Sequence, residues 1–162
     1  MKRSGGGRDE FHLDPALAVV HVVLQRALDY WNAKRGDRFA PARGEIEPRG
    51  AKAFIPHLQI FEVIDRGRAF RTRLAGTAIV KQLKEDTTGQ TFDDTSPREV
   101  VHRTLRAVRW VVEYKKPLRT YAPRTAVEGQ DYVSHETLFL PLSDDGKTVN
   151  MVAVVGVFAP AG

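Results

Sequence analysis

The sequence predicts an α+β domain: a five-stranded antiparallel sheet packed against an N-terminal cap helix, short helices and one long connecting helix. Three observations carry this reading. Residues 58–76, LQIFEVIDRGRAFRTRLAG, set two runs of strand-forming residues around Asp65-Arg66-Gly67-Arg68, where Gly67 can take the positive φ of a tight hairpin. Residues 97–115 repeat apolar side chains at helical spacing. Residues 118–158 hold three more strand-like runs, the last of them the nearly continuous apolar VNMVAVVGVF of a central strand covered on both faces. The order of helix, hairpin, short helices, long helix and three-stranded meander places helices against an antiparallel sheet.

At 162 residues the chain suffices for one domain with its own core, assigned to 14–162 after a leader of 1–13, with the N-terminal helix at about 15–35 and the core at about 46–158. Met1 to Glu10 reads as a flexible leader. Its Lys-Arg start resembles a signal peptide, but Asp9, Glu10 and Asp14 precede the apolar run, and His21, Gln25 and Arg26 interrupt it. Neither export nor membrane spanning is expected, which places the chain in the cytoplasm. The absence of cysteine excludes disulfides, iron–sulfur ligation and thiol catalysis, and fits a reducing compartment. The net charge of +5 is dispersed along the chain, which disfavours a dedicated nucleic-acid surface.

Asp14-Pro15 predicts a helix start, an N-cap acid before proline at the first helical position. Leu17, Val20, Leu24, Ala27, Leu28 and Trp31 follow at helical spacing, with Gly36 as the stop. Val19, Val23 and Tyr30 widen the apolar arc. Such a helix either lies in a groove with some valines exposed or covers its own sheet while pairing with a second subunit. Pro48 opens a short helix that Pro56 ends.

In the hairpin, an Arg66-Gly67 turn opposes Ile64 to Ala69, Val63 to Phe70 and Phe61 to Thr72, with Glu62 opposite Arg71 as an ion pair. One face then carries Phe61, Val63, Phe70, Thr72 and Leu74; the other carries Leu58, Ile60, Ile64 and Ala69. Residues 77–89 suit one or two short turns. Ser96-Pro97-Arg98-Glu99 forms a capping box for the long helix, which Pro117 stops. Val101, Leu105, Val108 and Val112 mark its buried stripe, while Arg98, His102, Arg106 and Arg109 lie opposite. Trp110 falls among the basic residues, with Arg103 and Arg106 as neighbours able to stack on its indole. It is either an interface anchor or a side chain buried against the following loop. Pro123 suits the strand at 118–127 to an edge, and Ser143-Asp144-Asp145-Gly146 turns the last hairpin.

Little in the sequence supports catalysis. On a strand, Ser134 and Glu136 share one face and His135 points to the other, so the three cannot form a relay. Histidines 12, 21, 57, 102 and 135 show no metal-ligand spacing. The interior offers more. Phe61, Phe70, Thr72 and Leu74 of the sheet are expected to face Leu105 and Val108 of the long helix, either as a solid core or around a cavity for a small apolar ligand, with Thr72 or His135 as polar anchors. His135 can equally be a satisfied strand histidine.

The order of elements resembles that of PAS sensor domains. In particular the chain is similar to a proteobacterial PAS-like family with a Trp-containing N-terminal helix. The matching residues are Trp31, Arg38-Phe39-Ala40-Pro41-Ala42-Arg43, Ile46-Glu47-Pro48, Leu58-Gln59-Ile60-Phe61-Glu62-Val63, Phe70-Arg71-Thr72-Arg73-Leu74-Ala75-Gly76-Thr77, Thr88-Gly89 and Leu140-Pro141-Leu142-Ser143-Asp144-Asp145-Gly146. Glu47-Pro48 stands where the family pattern has Asp-Pro. The resemblance implies sensing or protein interaction without catalysis, and it supplies no cofactor ligand. Flavin-holding relatives use a cysteine this chain lacks, and His102 falls on the polar side of the helix where haem-holding relatives place an axial histidine.

The expected function is therefore a stand-alone regulatory domain acting through protein contacts, modulated by a small ligand in its core. No kinase, cyclase or DNA-binding segment accompanies it, so a signal leaves through a partner's surface or through self-association. A homodimer through the N-terminal helix is expected, with Trp31, Trp110, Arg103 and Arg106 as surface candidates. A small cone-shaped α+β enzyme or binding protein is the alternative, and a basic nucleic-acid module a third.

Overall fold

The computed structural model describes residues 11–130 and 133–160. Among them, seven strands form one antiparallel sheet: β1 (His12–Asp14), β2 (Leu58–Ile64), β3 (Ala69–Ala75), β4 (Thr91–Asp93), β5 (Leu118–Ala122), β6 (Val133–Leu142) and β7 (Met151–Pro160). Their spatial order is β1-β5-β6-β7-β2-β3-β4. The five expected strands are all present, and β7 is central. The expectation of five is corrected by β1 and β4, three-residue strands at either edge. Because β1 pairs with β5, the latter is not an edge; its ladder stops before Pro123. The leader assigned to 1–13 is shortened as well. His12 and Leu13 belong to the sheet, and residues 1–10 lie outside the described part.

The central hairpin has the expected register: Phe61 opposes Thr72, Glu62 opposes Arg71, Val63 opposes Phe70 and Ile64 opposes Ala69. Arg71 and Arg73 both pair with Glu62, at 3.3 and 3.1 Å. Asp65, Arg66 and Gly67 all adopt positive φ in the connection. At Gly67 a side chain is excluded by conformation and by space, since an added Cβ would sit 2.9 Å from Arg109 Cγ. One consequence of the pairing was not expected. Ile60 opposes Leu74, so Arg73 is an extra residue bulged out of β3. The bulge turns Leu74 to the opposite face from Thr72.

Strand alternation sorts the sheet into two apolar faces. Leu58, Ile60, Leu138, Leu140, Ala153 and Val155 form one, covered by Leu24, Ala27 and Trp31 of α1 (Val22–Arg35). Phe61, Phe70, Phe139, Val152 and Val154 form the other, covered by Val101, Leu105, Val108 and Val111 of α3 (Glu99–Tyr114). Each large buried side chain contributes on the order of 1.5–3 kcal/mol. Both faces are thus closed, as the two-sided apolar hairpin requires. A short α2 (Thr77–Leu83) follows Gly76.

Both helix starts differ from expectation. Asp14 accepts N–H bonds from Ala16 and Ala18, the work of a cap, but Leu17 takes φ 59° and the chain does not continue as helix. α1 begins at Val22, with His21 Nδ1 accepting the Val23 N–H. At α3, Ser96 Oγ accepts the Arg98 N–H, yet the helix opens at Glu99 and Glu99 turns to Arg103. Trp31, expected at a surface, is buried in the core, and its Nε1–H donates to the Pro141 carbonyl at 2.8 Å. Among the described residues no helix is long and apolar enough to cross a membrane.

Candidate functional site

A cavity of about 100 Å³ lies between α3 and the sheet face it covers. This is room for several waters or one small ligand. Phe61, Phe70, Phe139 and Val154 supply apolar wall from the sheet, and Val100 and Val101 supply it from α3. Polar groups break this wall at Thr72, Thr120, His135 and Thr137 on the strands and at Arg98, Arg103 and Thr104 on the helix side. Alternation puts the strand residues there: Thr137 opposes Gly156 and His135 opposes Phe158, all on the α3 side of the sheet. Gly156 leaves room for the imidazole, since a Cβ there would lie 3.1 Å from His135 Nε2.

His135 stacks on Phe158 at a centroid distance of 4.0 Å, and its Nε2 lies 2.9 Å from Thr137 Oγ1. Burial, with the nearby Arg103 charge, pushes its pKa down to about 4, so the ring is neutral at physiological pH. Arg103 is itself buried, bonded to Glu99 at 3.3 Å and to the Arg124 carbonyl at 3.2 Å. Arg98 pairs with Glu85 at 2.8 Å. No Asp or Glu is among the described residues bordering the cavity.

Four of the seven expected pocket residues, Phe61, Phe70, Thr72 and His135, line this cavity. Leu105 and Val108 are buried in the same apolar cluster but do not border it, because Val101, Arg103 and Thr104 take the helix face nearest the opening. Leu74 is excluded by the β3 bulge and packs on the α1 side. The surface set also divides. Arg106 is exposed, whereas Arg103 is buried and faces the cavity, and Trp31 is core. Trp110 is half-buried, its ring 4.8 Å from that of Tyr114.

Two features had no expectation attached. Phe11, within the assigned leader, lines the cavity, with the guanidiniums of Arg103 and Arg106 at 5.2 and 5.3 Å from its ring centre. On the opposite face, Arg119 bridges two carboxylates, Asp14 at 3.1 Å and Glu136 at 2.6 Å. Glu136 also accepts the N–H groups of Val20 and His21, the approach to α1. Burial opposes its ionisation, but Arg119 and the two N–H donors outweigh burial and hold its pKa below the ordinary carboxylate range. His135 and Glu136 face opposite sides of the sheet and share no proton. Among the described residues no group of three or more His, Cys, Asp or Glu is placed to hold a metal.

A family model described as a PAS domain matches residues 19–158. No curated protein and no solved structure matches the chain. The matched span runs from just before α1 almost to the end of β7, and so takes in both helix-covered faces and most of the cavity wall. The chain belongs to the PAS-domain family, a family of sensory and regulatory modules that commonly mediate protein interactions and typically carry no catalysis of their own.

Proposed function

We propose that this chain is a cytoplasmic sensory domain that acts through protein–protein contacts and is modulated by a small ligand in the cavity between α3 and the sheet. The observation that carries the reading is the wall of that cavity: apolar over most of its area, with a few hydroxyl, imidazole and guanidinium groups converging on it. An enzyme of the type that uses a pocket Asp–His or Tyr–Asp pair would need an inward carboxylate, and the described wall has none. Self-association through the segment leading into α1 is supported by Val20 and Val22, which are 75% and 54% exposed although both are branched and apolar. Trp110 and Tyr114 offer a second apolar surface, on α3, beside exposed Arg106.

Native mass spectrometry of the purified chain beside its denatured mass tests the reading. A dimer carrying a small-molecule mass increment is expected. A bare monomer at tens of micromolar would count against both the ligand and the homodimer.

A further inference from the structure

The sheet face under α3 carries one polar row. Thr120 of β5 opposes Thr137 of β6, Thr137 opposes Gly156 of β7, and all three border the cavity. In the next row Phe139 opposes Val154, so the polar row adjoins apolar wall. Directly opposed side chains on one face have Cβ atoms about 4.5–5.5 Å apart. The two threonine hydroxyls therefore stand side by side, yet they do not bond each other. Among the described residues the Thr137 hydroxyl bonds His135, and the Thr120 hydroxyl bonds nothing.

Thr120 is only 3% exposed, and its other neighbour in the sheet, Leu13, offers it apolar surface alone. A buried hydroxyl left without a partner costs stability, so this one is kept at some expense to the fold. A hydroxyl has one proton and two lone pairs, so Thr137 retains at least one lone pair whichever way its bond to His135 Nε2 runs. A donor on Thr120 and an acceptor on Thr137 thus border the same space. Neither is charged, and the His135 ring beside them is neutral at physiological pH. Arg98 and Arg103 are already held by Glu85 at 2.8 Å and Glu99 at 3.3 Å. An anion would have to draw a guanidinium from its carboxylate, and among the described residues no carboxylate borders the cavity to receive a cation.

Resting on the sensory reading above, we infer that the cavity's ligand is a small neutral hydroxyl compound whose hydroxyl is held between Thr120 and Thr137. It donates to the Thr137 oxygen and accepts from the Thr120 O–H, using both functions of a single atom. Its apolar body lies against Phe139, Val154 and Val101. A dry cavity of about 150 Å³ accepts benzene, so one of about 100 Å³ takes a body no larger than a phenyl ring. Thr120 is then a specificity-determining residue, which favours the hydroxyl compound over a hydrocarbon of the same shape.

Calorimetric titration of the full-length chain, of Thr120→Val and of Thr120→Ser with phenol, toluene and benzoate at neutral pH tests this. Phenol should bind about tenfold more tightly than toluene, its shape-matched hydrocarbon, and about tenfold more tightly than benzoate. Thr120→Val should weaken phenol about tenfold and leave toluene unchanged, while Thr120→Ser, which keeps the hydroxyl, should stay within about twofold of the parent chain for phenol. The urea midpoint of ligand-free Thr120→Val should not fall, because the hydroxyl it loses has no partner to lose. Toluene binding as tightly as phenol would overturn the hydroxyl anchor while leaving a ligand-binding sensor in place. Benzoate binding more tightly than phenol would overturn the neutral ligand. Phenol affinity unchanged in Thr120→Val, or lost equally in Thr120→Ser, would overturn the role of Thr120. Absence of binding by all three probes to the full-length chain, with circular dichroism showing it folded, would overturn the inference outright. The sensory reading would then stand or fall separately on whether native mass spectrometry finds a co-purified molecule.

Discussion

Replacing Glu136 by Gln keeps the shape of the side chain and removes one charge from the bridge between the sheet and α1. The carboxylate accepts three bonds: Arg119 Nε–H at 2.6 Å, Val20 N–H at 3.0 Å and His21 N–H at 3.1 Å. An amide has one oxygen, and its NH2 must face a donor, so at least one of the three bonds is lost. The side chains of Glu136 and Arg119 are only 8% and 13% exposed, so water cannot replace the lost partner. Breaking a buried pair costs about 3–5 kcal/mol. Because Arg119 keeps Asp14, the cost falls below that range, to about 2–3 kcal/mol, the scale of charge-assisted bonds. Urea unfolding can follow Trp31 and Trp110, which lie on opposite sides of the sheet. With a slope of roughly 2 kcal/mol per molar, the midpoint should fall by about 1–1.5 M. Amide exchange at Val20 and His21 should accelerate by more than that of Leu138. A midpoint shift below about 0.3 M, or unchanged exchange at 20 and 21, would show that the carboxylate does not anchor the helix.

Phe61→Ala should cost about 3–5 kcal/mol, since the ring is buried 4.6 Å from Phe70; a barely altered denaturation midpoint would contradict its packing. His135 has a folded pKa pushed down to about 4 from 6.5, so the unfolded chain binds a proton that the folded one refuses throughout that window. Its contribution is therefore intact above pH 6.5 and lost as pH falls towards 4, a decline of about 3 kcal/mol, which His135→Gln should flatten in pH-dependent urea unfolding. Trp110→Ala should cost only about 1–2 kcal/mol, as fits a half-buried ring, while weakening self-association in sedimentation. Severe unfolding would instead make Trp110 a core residue.

The hairpin was legible because two alternating runs admit one register that keeps both apolar faces whole, and Glu62 and Arg71 marked it. The bulge at Arg73 left no such mark: one extra residue changes no composition, yet it carried Leu74 out of the pocket. β1 and β4 were missed because three residues cannot display a period, and neighbours in space fix them. At Asp14 the local chemistry was read correctly, but a side chain that caps N–H groups serves a turn as well as a helix. Trp31 and Arg103 were both expected at a surface and both are buried. Trp31 was placed at the surface because the apolar arc of α1 looked too wide for one sheet, yet the indole packs wholly into that sheet. Arg103 was placed on the helix surface as a stacking neighbour of Trp110, yet a guanidinium with a carboxylate, a carbonyl and a phenyl ring beside it is at home in a wall. Phe11 was hidden by its neighbours, since a glycine-rich leader gives no sign that its last aromatic reaches a cavity.

The account rests on a ligand-sized space between α3 and the sheet, as opposed to a solid core built of the same residues. Chemical-shift mapping of the full-length chain under xenon pressure tests this without assuming any ligand chemistry, because xenon enters apolar cavities of this size and is excluded from close-packed interiors. Saturable shifts are predicted for Val101, Ile79 and Val154, with Leu138 and Leu142 on the α1 side unmoved. Cavity-side methyls that respond no more than Leu138 and Leu142 would contradict it.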